Sequence, residues 1–307
     1  MCIQSAIGLT CAIRGRVMAV RGVRSPLLWA CAAVVALPLR TYAAEPTVTN
    51  GGLEVEIEGT VASDYIYRGI SLSARRPTAA LQIDADWRGL YLTTNVQSVN
   101  LPTNPAAEIT LSGGYRWELA KFNFDLGASY FYYPGEIATD TATKTNYWEY
   151  ALDVDRELTK RIKVSAQLAY APDVSATGAW GAYSEAGITI DLPALDLLKN
   201  VSWQLMASAG YWRFGNTSPA QGGFPLPAFA NWHAGLVFTL KDNVSLDLSY
   251  YDTSLSREDC FVFTGDPLAS PGGAVNLVNN PDGLRSRLCG AVFVGTLSFK
   301  FQPVGKD

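Results

Sequence analysis

From Leu53 to Gly69 the chain reads LEVEIEGTVASDYIYRG, and its residues alternate in character with period two. Leu53, Val55, Ile57, Val61, Tyr65 and Tyr67 fall on one side, while Glu54, Glu56, Glu58, Thr60, Asp64 and Arg68 fall on the other, with Ala62 and Ile66 as apolar exceptions. Successive strand side chains point to opposite faces, so the stretch reads as one strand with an apolar face ending in two tyrosines and a charged face behind it. A soluble sheet produces the same alternation. Length and repetition favour a membrane barrel, whose tilted strands need about 9 to 11 residues and carry aromatic interfacial ends.

The alternation returns along the whole chain. Leu81, Ile83, Ala85 and Trp87 oppose Gln82, Asp84 and Asp86; Ile109, Leu111, Tyr115 and Trp117 oppose Glu108, Thr110, Ser112 and Arg116. Similar runs lie at 90–97, 122–132, 148–154, 162–170, 182–192, 201–211, 232–240, 244–250 and 291–301, twelve strands with the first two and the fourth. Short connections alternate with long polar ones, the long ones at 70–78, 99–107, 134–146, 172–181, 213–230 and 253–287. Short turns at the end holding the termini and long loops at the other are the habit of an outer-membrane barrel.

A β-sandwich also buries an apolar face. It gives no reason for Trp87, Trp117, Trp148, Trp203 and Trp232, or Tyr65, Tyr67, Tyr115, Tyr130, Tyr132, Tyr150, Tyr170, Tyr211 and Tyr250, to stand near strand ends. Amphipathic rings settle at both membrane interfaces, and backbone groups in lipid must pair internally, so the sheet must close. The expected fold class is all-β: a transmembrane antiparallel up-and-down β-barrel of about 12 strands spanning residues 53–301.

Residues 1–43 carry Arg14, Arg16, Arg21 and Arg24 ahead of the apolar run Leu27 to Leu39, then small residues at Ala43 and Ala44. A basic flank and a short apolar core describe a secretory signal peptide, since a spanning helix needs about 20 residues. Met18 stands nearer the usual distance from such a core and is an alternative start. Residues 44–52 then read as a periplasmic segment and 302–307 as a C-terminal tail. Removing the leader takes five arginines and no acid, leaving 24 − 5 = 19 basic against 28 acidic residues, a net charge of −9. That balance argues against a nucleic-acid partner. Of the five cysteines only Cys260 and Cys289 remain, and in an exported chain two cysteines point to a disulfide, with two free thiols as the alternative.

The block Ser63-Asp64-Tyr65-Ile66-Tyr67-Arg68-Gly69-Ile70-Ser71, followed by Pro77, resembles the TorF-like porin family of proteobacterial outer-membrane proteins. Tyr130 to Gly135 (YFYYPG), Asn231-Trp232 and Tyr250-Tyr251-Asp252-Thr253 resemble later blocks of the same family. The resemblance implies a barrel with a channel role and carries no defined substrate. Barrel proteins usually end on an aromatic residue read by the insertion machinery; here Leu297, Phe299 and Phe301 alternate as that signal does, but six residues follow Phe301.

No catalytic site is read from the sequence. The single histidine, His233, falls by parity on the lumen side, away from the lipid face where an outer-membrane phospholipase needs its His and Ser. One histidine and a disulfide-prone cysteine pair leave little for a metal site, and no cofactor is expected. The lumen candidates are Glu54, Glu56, Glu58, Asp64, Arg68, Asp84, Asp86, Glu108, Arg116 and Glu149, a mainly acidic set that favours cations or neutral polar solutes. Arg68, Arg75 and Arg76, at or in the first outer loop, are read in two ways: they hold lipopolysaccharide phosphates or a substrate carboxylate, for which Arg geometry is suited, or Arg68 pairs with an interior acid while Arg75 and Arg76 are solvated. The expected function is an outer-membrane channel passing small polar solutes or ions through a narrow lumen in a Gram-negative bacterium, with membrane lipids and the insertion machinery as partners. The alternative is a non-conducting barrel whose external loops bind a partner or surface lipid.

Overall fold

The computed structural model describes residues 52–138, 144–193, 200–269 and 284–305. The expected signal peptide, most of the expected periplasmic segment and the last two residues lie outside the described residues. In chain order the strands are β1 (Leu53–Ala62), β2 (Ile66–Tyr67), β3 (Ile70–Ser71), β4 (Thr78–Trp87), β5 (Leu90–Gln97), β6 (Glu108–Leu119), β7 (Phe122–Tyr132), β8 (Tyr147–Thr159), β9 (Ile162–Ala171), β10 (Gly181–Asp191), β11 (Val201–Phe214), β12 (Phe229–Leu240), β13 (Val244–Thr253) and β14 (Val292–Val304), with one helix, α1 (Arg257–Thr264), before β14.

Twelve of these strands form a closed antiparallel barrel in the order β1-β14-β13-β12-β11-β10-β9-β8-β7-β6-β5-β4. Each strand pairs with its neighbours in sequence, and β1 closes the ring on β14 from Ile57↔Phe301 to Ala62↔Thr296. The last strand runs three residues beyond the expected Phe301, to Val304, which pairs with Val55 across an irregularity in the register. Tight turns join the strands at the end holding both termini. Arg88 and Gly89, and Ala120 and Lys121, all hold positive φ, the paired left-handed geometry that suits a two-residue hairpin loop.

The barrel is inside out relative to a soluble protein. Leu92, Leu126 and Leu168 face outward at 61%, 55% and 59% exposure, which is costly in water and favourable against lipid. Aromatic rings cluster toward both ends of the outer wall. Trp117 lies 5.2 Å from Phe124 near the short turns, and Tyr130 lies 4.9 Å from Trp148 near the long loops. Inside, glycines make room for long polar side chains. Gly114 and Gly127 face each other across β6 and β7, and a Cβ on either would stand 2.7 or 2.3 Å from the Tyr91 hydroxyl, which lies over them to donate to Asp125 at 2.8 Å.

One element departs from the sequence expectation. The first strand was expected to run on to Gly69 with Tyr65 and Tyr67 in the outer aromatic girdle; instead β1 stops at Ala62, and β2 and β3 form a separate two-stranded sheet. Tyr65 is fully buried. Period two persists through the block, but alternation alone does not reveal that the chain reverses at Arg68-Gly69.

Leu126→Arg, in the middle of β7 on the lipid face, is expected to lower stability by about 2 to 4 kcal/mol. Urea titration of the protein folded in lipid vesicles, read by heat-modifiable gel mobility, measures the shift. Ser129→Asn, on the lumen face of the same strand, serves as the control with little change.

Candidate functional site

The β2–β3 hairpin crosses the lumen from β1 to the far wall. Its base is drawn together by Asp64, whose Oδ1 accepts from the Ser71 and Ser73 hydroxyls at 2.6 and 2.7 Å and whose Oδ2 accepts from the Arg75 guanidinium at 3.1 Å. Its tip is a two-residue turn with Arg68 at φ +48° and Gly69 at φ +83°, the pair of left-handed residues a type I′ turn demands. Glycine is required there for a second reason. A Cβ at residue 69 would come within 2.2 Å of the Thr253 methyl and 3.1 Å of the Asn231 Cβ, so the turn lies flush against the ends of β12 and β13.

Arg68 is the latch. Its two terminal nitrogens donate to the two carboxylate oxygens of Glu149 on β8, both at 2.7 Å, a bidentate geometry that Arg supplies and Lys does not. The same guanidinium sits 4.0 Å from the Tyr183 ring centre, 4.6 Å from Trp212 and 4.9 Å from Tyr67, so aromatic faces replace water around the charge. Beside it the Tyr65 hydroxyl donates to Glu108 Oε1 at 2.8 Å and the Tyr133 hydroxyl to Oε2 at 2.7 Å. Phe131, Tyr147 and Phe229 complete this buried layer. Together the hairpin and the inward rings close the outer part of the lumen.

Toward the short turns the barrel opens into a polar vestibule of about 480 Å³. Nine carboxylates line it (Glu56, Glu58, Asp84, Asp125, Asp153, Glu157, Asp191, Asp242 and Asp247) against five basic side chains (Arg116, Lys160, Arg161, Lys163 and Lys300). Several are paired: Arg116 bridges Asp86 at 3.2 Å and Asp125 at 3.0 Å, and Lys300 reaches Glu56 at 2.9 Å and Glu58 at 3.5 Å. Carboxylates outnumber basic side chains in this lining.

The sequence-derived lumen residues therefore separate into three places. Glu56, Glu58, Asp84 and Arg116 line the vestibule, Asp86 pairs with Arg116, and Glu54 stands opposite Asp86 across β1 and β4. Glu108, Glu149 and Arg68 belong to the closing layer. Asp64 lies on no lumen-facing strand; it organises the hairpin base because the chain has already turned in at Ser63. Arg75 is not solvated as expected, since it pairs with Asp64 and also donates to the backbone carbonyls of Arg287 and Gly290 at 3.1 and 2.7 Å. Those carbonyls flank Cys289, which forms a disulfide with Cys260 of α1. Closing that loop contributes about 3 to 4 kcal/mol in the chain-entropy account and steadies the platform on which Arg75 rests. Sequence reasoning missed Phe131, Tyr147, Tyr183, Trp212 and Phe229. Their parity was available, because Tyr147 shares a face with Glu149 and Tyr183 with Glu185, yet rings on a polar face were not recognised as a plug.

His233 faces the lumen, as parity placed it, with Nδ1 2.9 Å from the hydroxyl of Ser208, its cross-strand partner. The two residues are 25 positions apart in sequence, and the pairing of β11 with β12 brings them together. Among the described residues no group of three or more His, Cys, Asp or Glu is placed to hold a metal ion, and no helix is long and apolar enough to cross a membrane.

An apolar outer wall, a closed backbone ladder and a charged interior define a membrane-spanning β-barrel of the porin-like class, here with an internal plug. The chain belongs to the family described as "Bacterial protein of unknown function (Gcw_chp)", whose model matches residues 46–268. That match does not carry the TorF-like name. No curated protein matches the chain in sequence. Among solved structures it is similar to the NanC porin, with 10% identity over 80% of this chain and 100% of that one at a TM-score of 0.45. It is similar to the KdgM porin in complex with disordered oligogalacturonate, with 10% identity over 81% and 99% at 0.44, and to LpxR from Salmonella typhimurium, with 9% identity over 80% and 99% at 0.39.

Arg68→Ala leaves the Glu149 carboxylate buried without its partner and is expected to cost about 3 to 5 kcal/mol. The drop is to be read by chemical denaturation of the refolded protein. Pairing it with Glu149→Gln is expected to recover part of the loss, because the orphaned charge is then gone; strict additivity of the two substitutions would show that the pair is not coupled.

Proposed function

We propose that this protein is an outer-membrane channel of a Gram-negative bacterium, exported through its signal peptide, that rests closed and passes small polar solutes or ions when the β2–β3 hairpin leaves the lumen. The reading rests on one observation above all. The hairpin is joined to the barrel by side-chain contacts and a few loop hydrogen bonds and not by the strand ladder, so it can move without opening the sheet. Behind it lies a charged vestibule that a purely structural barrel has no need to keep. The excess of carboxylates there supports a preference for cations and neutral solutes over anions. The TorF-like resemblance fits the same reading. Outer-membrane lipids and the barrel insertion machinery are its proposed partners.

The second reading, a non-conducting barrel whose loops bind a partner or surface lipid, draws its support from the dry, continuous aromatic layer around Arg68. Single-channel recording of the refolded protein in planar bilayers separates the two. Rare, small current steps are expected from the wild type, and an open probability at least tenfold higher from Glu149→Gln, in which the latch loses its charge. Under a salt gradient the reversal potential is expected on the cation-selective side, and Glu58→Gln with Asp84→Asn moves it toward zero. Silence from both wild type and Glu149→Gln, with insertion verified, would favour the non-conducting barrel.

A further inference from the structure

Outside the closing layer, at the end of the long loops, lies a second cavity of about 220 Å³. Its character is opposite to that of the vestibule. Tyr67, Leu101, Tyr147, Trp212, Phe214 and Phe263 line it, brought there from the hairpin, the loop after β5, β8, β11 and α1. The rings brace one another: Trp212 lies 4.8 Å from Phe214, Phe214 lies 5.1 Å from Phe263, and Tyr67 meets Trp212 edge-on at 6.0 Å. Five chain segments thus hold an aromatic concavity in shape while leaving its middle empty. Arg76, Asn100 and Asp266 stand among the lining residues as the polar complement.

We infer that this outer cavity is a binding site for a small single-ring aromatic molecule carrying one polar substituent. The size fits, since a cavity of about 150 Å³ lined by apolar side chains accepts benzene, and the extra room admits a substituent. The chemistry fits because ring faces and edges are offered together, the arrangement in which aromatic groups attract one another, with a few polar groups to orient the substituent. The site deepens the proposed channel function without depending on conduction. Its floor is the hairpin itself, through Tyr67, Ile70 and Leu72, so a bound ring touches the plug that Arg68 latches.

The test uses 4-fluorobenzyl alcohol and ¹⁹F NMR on the protein refolded in detergent micelles. Saturable line broadening is expected, with reversal by unlabelled benzyl alcohol, and Leu101→Trp, which fills the cavity from a loop outside the barrel wall, is expected to weaken binding at least tenfold. Broadening that grows linearly with probe, is not reversed by benzyl alcohol and is unchanged in Leu101→Trp would mean micelle partitioning alone and overturn the inference. If Leu101→Trp does not fold, competition in the wild type decides by itself. Saturable binding by a protein silent in bilayers would sustain this site while removing the channel reading; conduction without saturable binding would do the reverse.

Discussion

Every strand in the wall depends on the closure of β1 onto β14. A backbone N–H or C=O left open toward lipid has no water to turn to, and each such group costs several kcal/mol. An open sheet of this length would present two unpaired edges. The ring removes both, and in doing so places residues more than two hundred positions apart side by side, as in Ile57 opposite Phe301. With the ladder complete, apolar side chains can face outward and polar ones inward, the reverse of a soluble fold.

The interior then has to be stabilised by means other than a plain hydrophobic core. Near the short turns it is polar, with charges paired in groups such as Arg116 between Asp86 and Asp125. Near the long loops it is aromatic and buried. There the β2–β3 hairpin supplies what the wall lacks: a cation for Glu149, a hydroxyl for Glu108 and ring faces against Trp212 and Phe131. A buried ion pair is weak evidence for stability by itself because desolvation opposes the Coulombic gain. Its geometry here supplies specificity, because only an Arg held in the left-handed conformation by a following glycine places the fork on that carboxylate.

Outer loops, hairpin and disulfide form one connected structure. The Arg75 side chain ties the hairpin base to carbonyls beside Cys289, the Ser71 amide donates to the Leu288 carbonyl at 2.8 Å, and the Thr253 hydroxyl donates to the Cys289 carbonyl at 2.6 Å. The disulfide between α1 and the segment leading into β14 therefore steadies the wall against which the plug is seated. Residues that looked like separate features of a long surface loop share a single mechanical role.

Much of this barrel was legible in the sequence because a strand in lipid writes itself in period two. Leu81 to Trp87, Ile109 to Trp117 and Trp232 to Leu240 each carry the alternation, and twelve such runs with alternating short and long connections leave few other folds. The cysteine pair was legible for a similar reason, since only two cysteines lie beyond residue 43. What the tertiary structure decided is the fate of Tyr65, Tyr67 and Arg68. Alternation is the same whether a strand stays in the wall or folds back as a hairpin inside it. The choice is made by partners distant in sequence: Glu108, Glu149, Tyr183 and Trp212, none of which satisfies the hairpin until the ring has closed around it. Local periodicity determined which way side chains point relative to their own strand; only the closed barrel determined which of them meet.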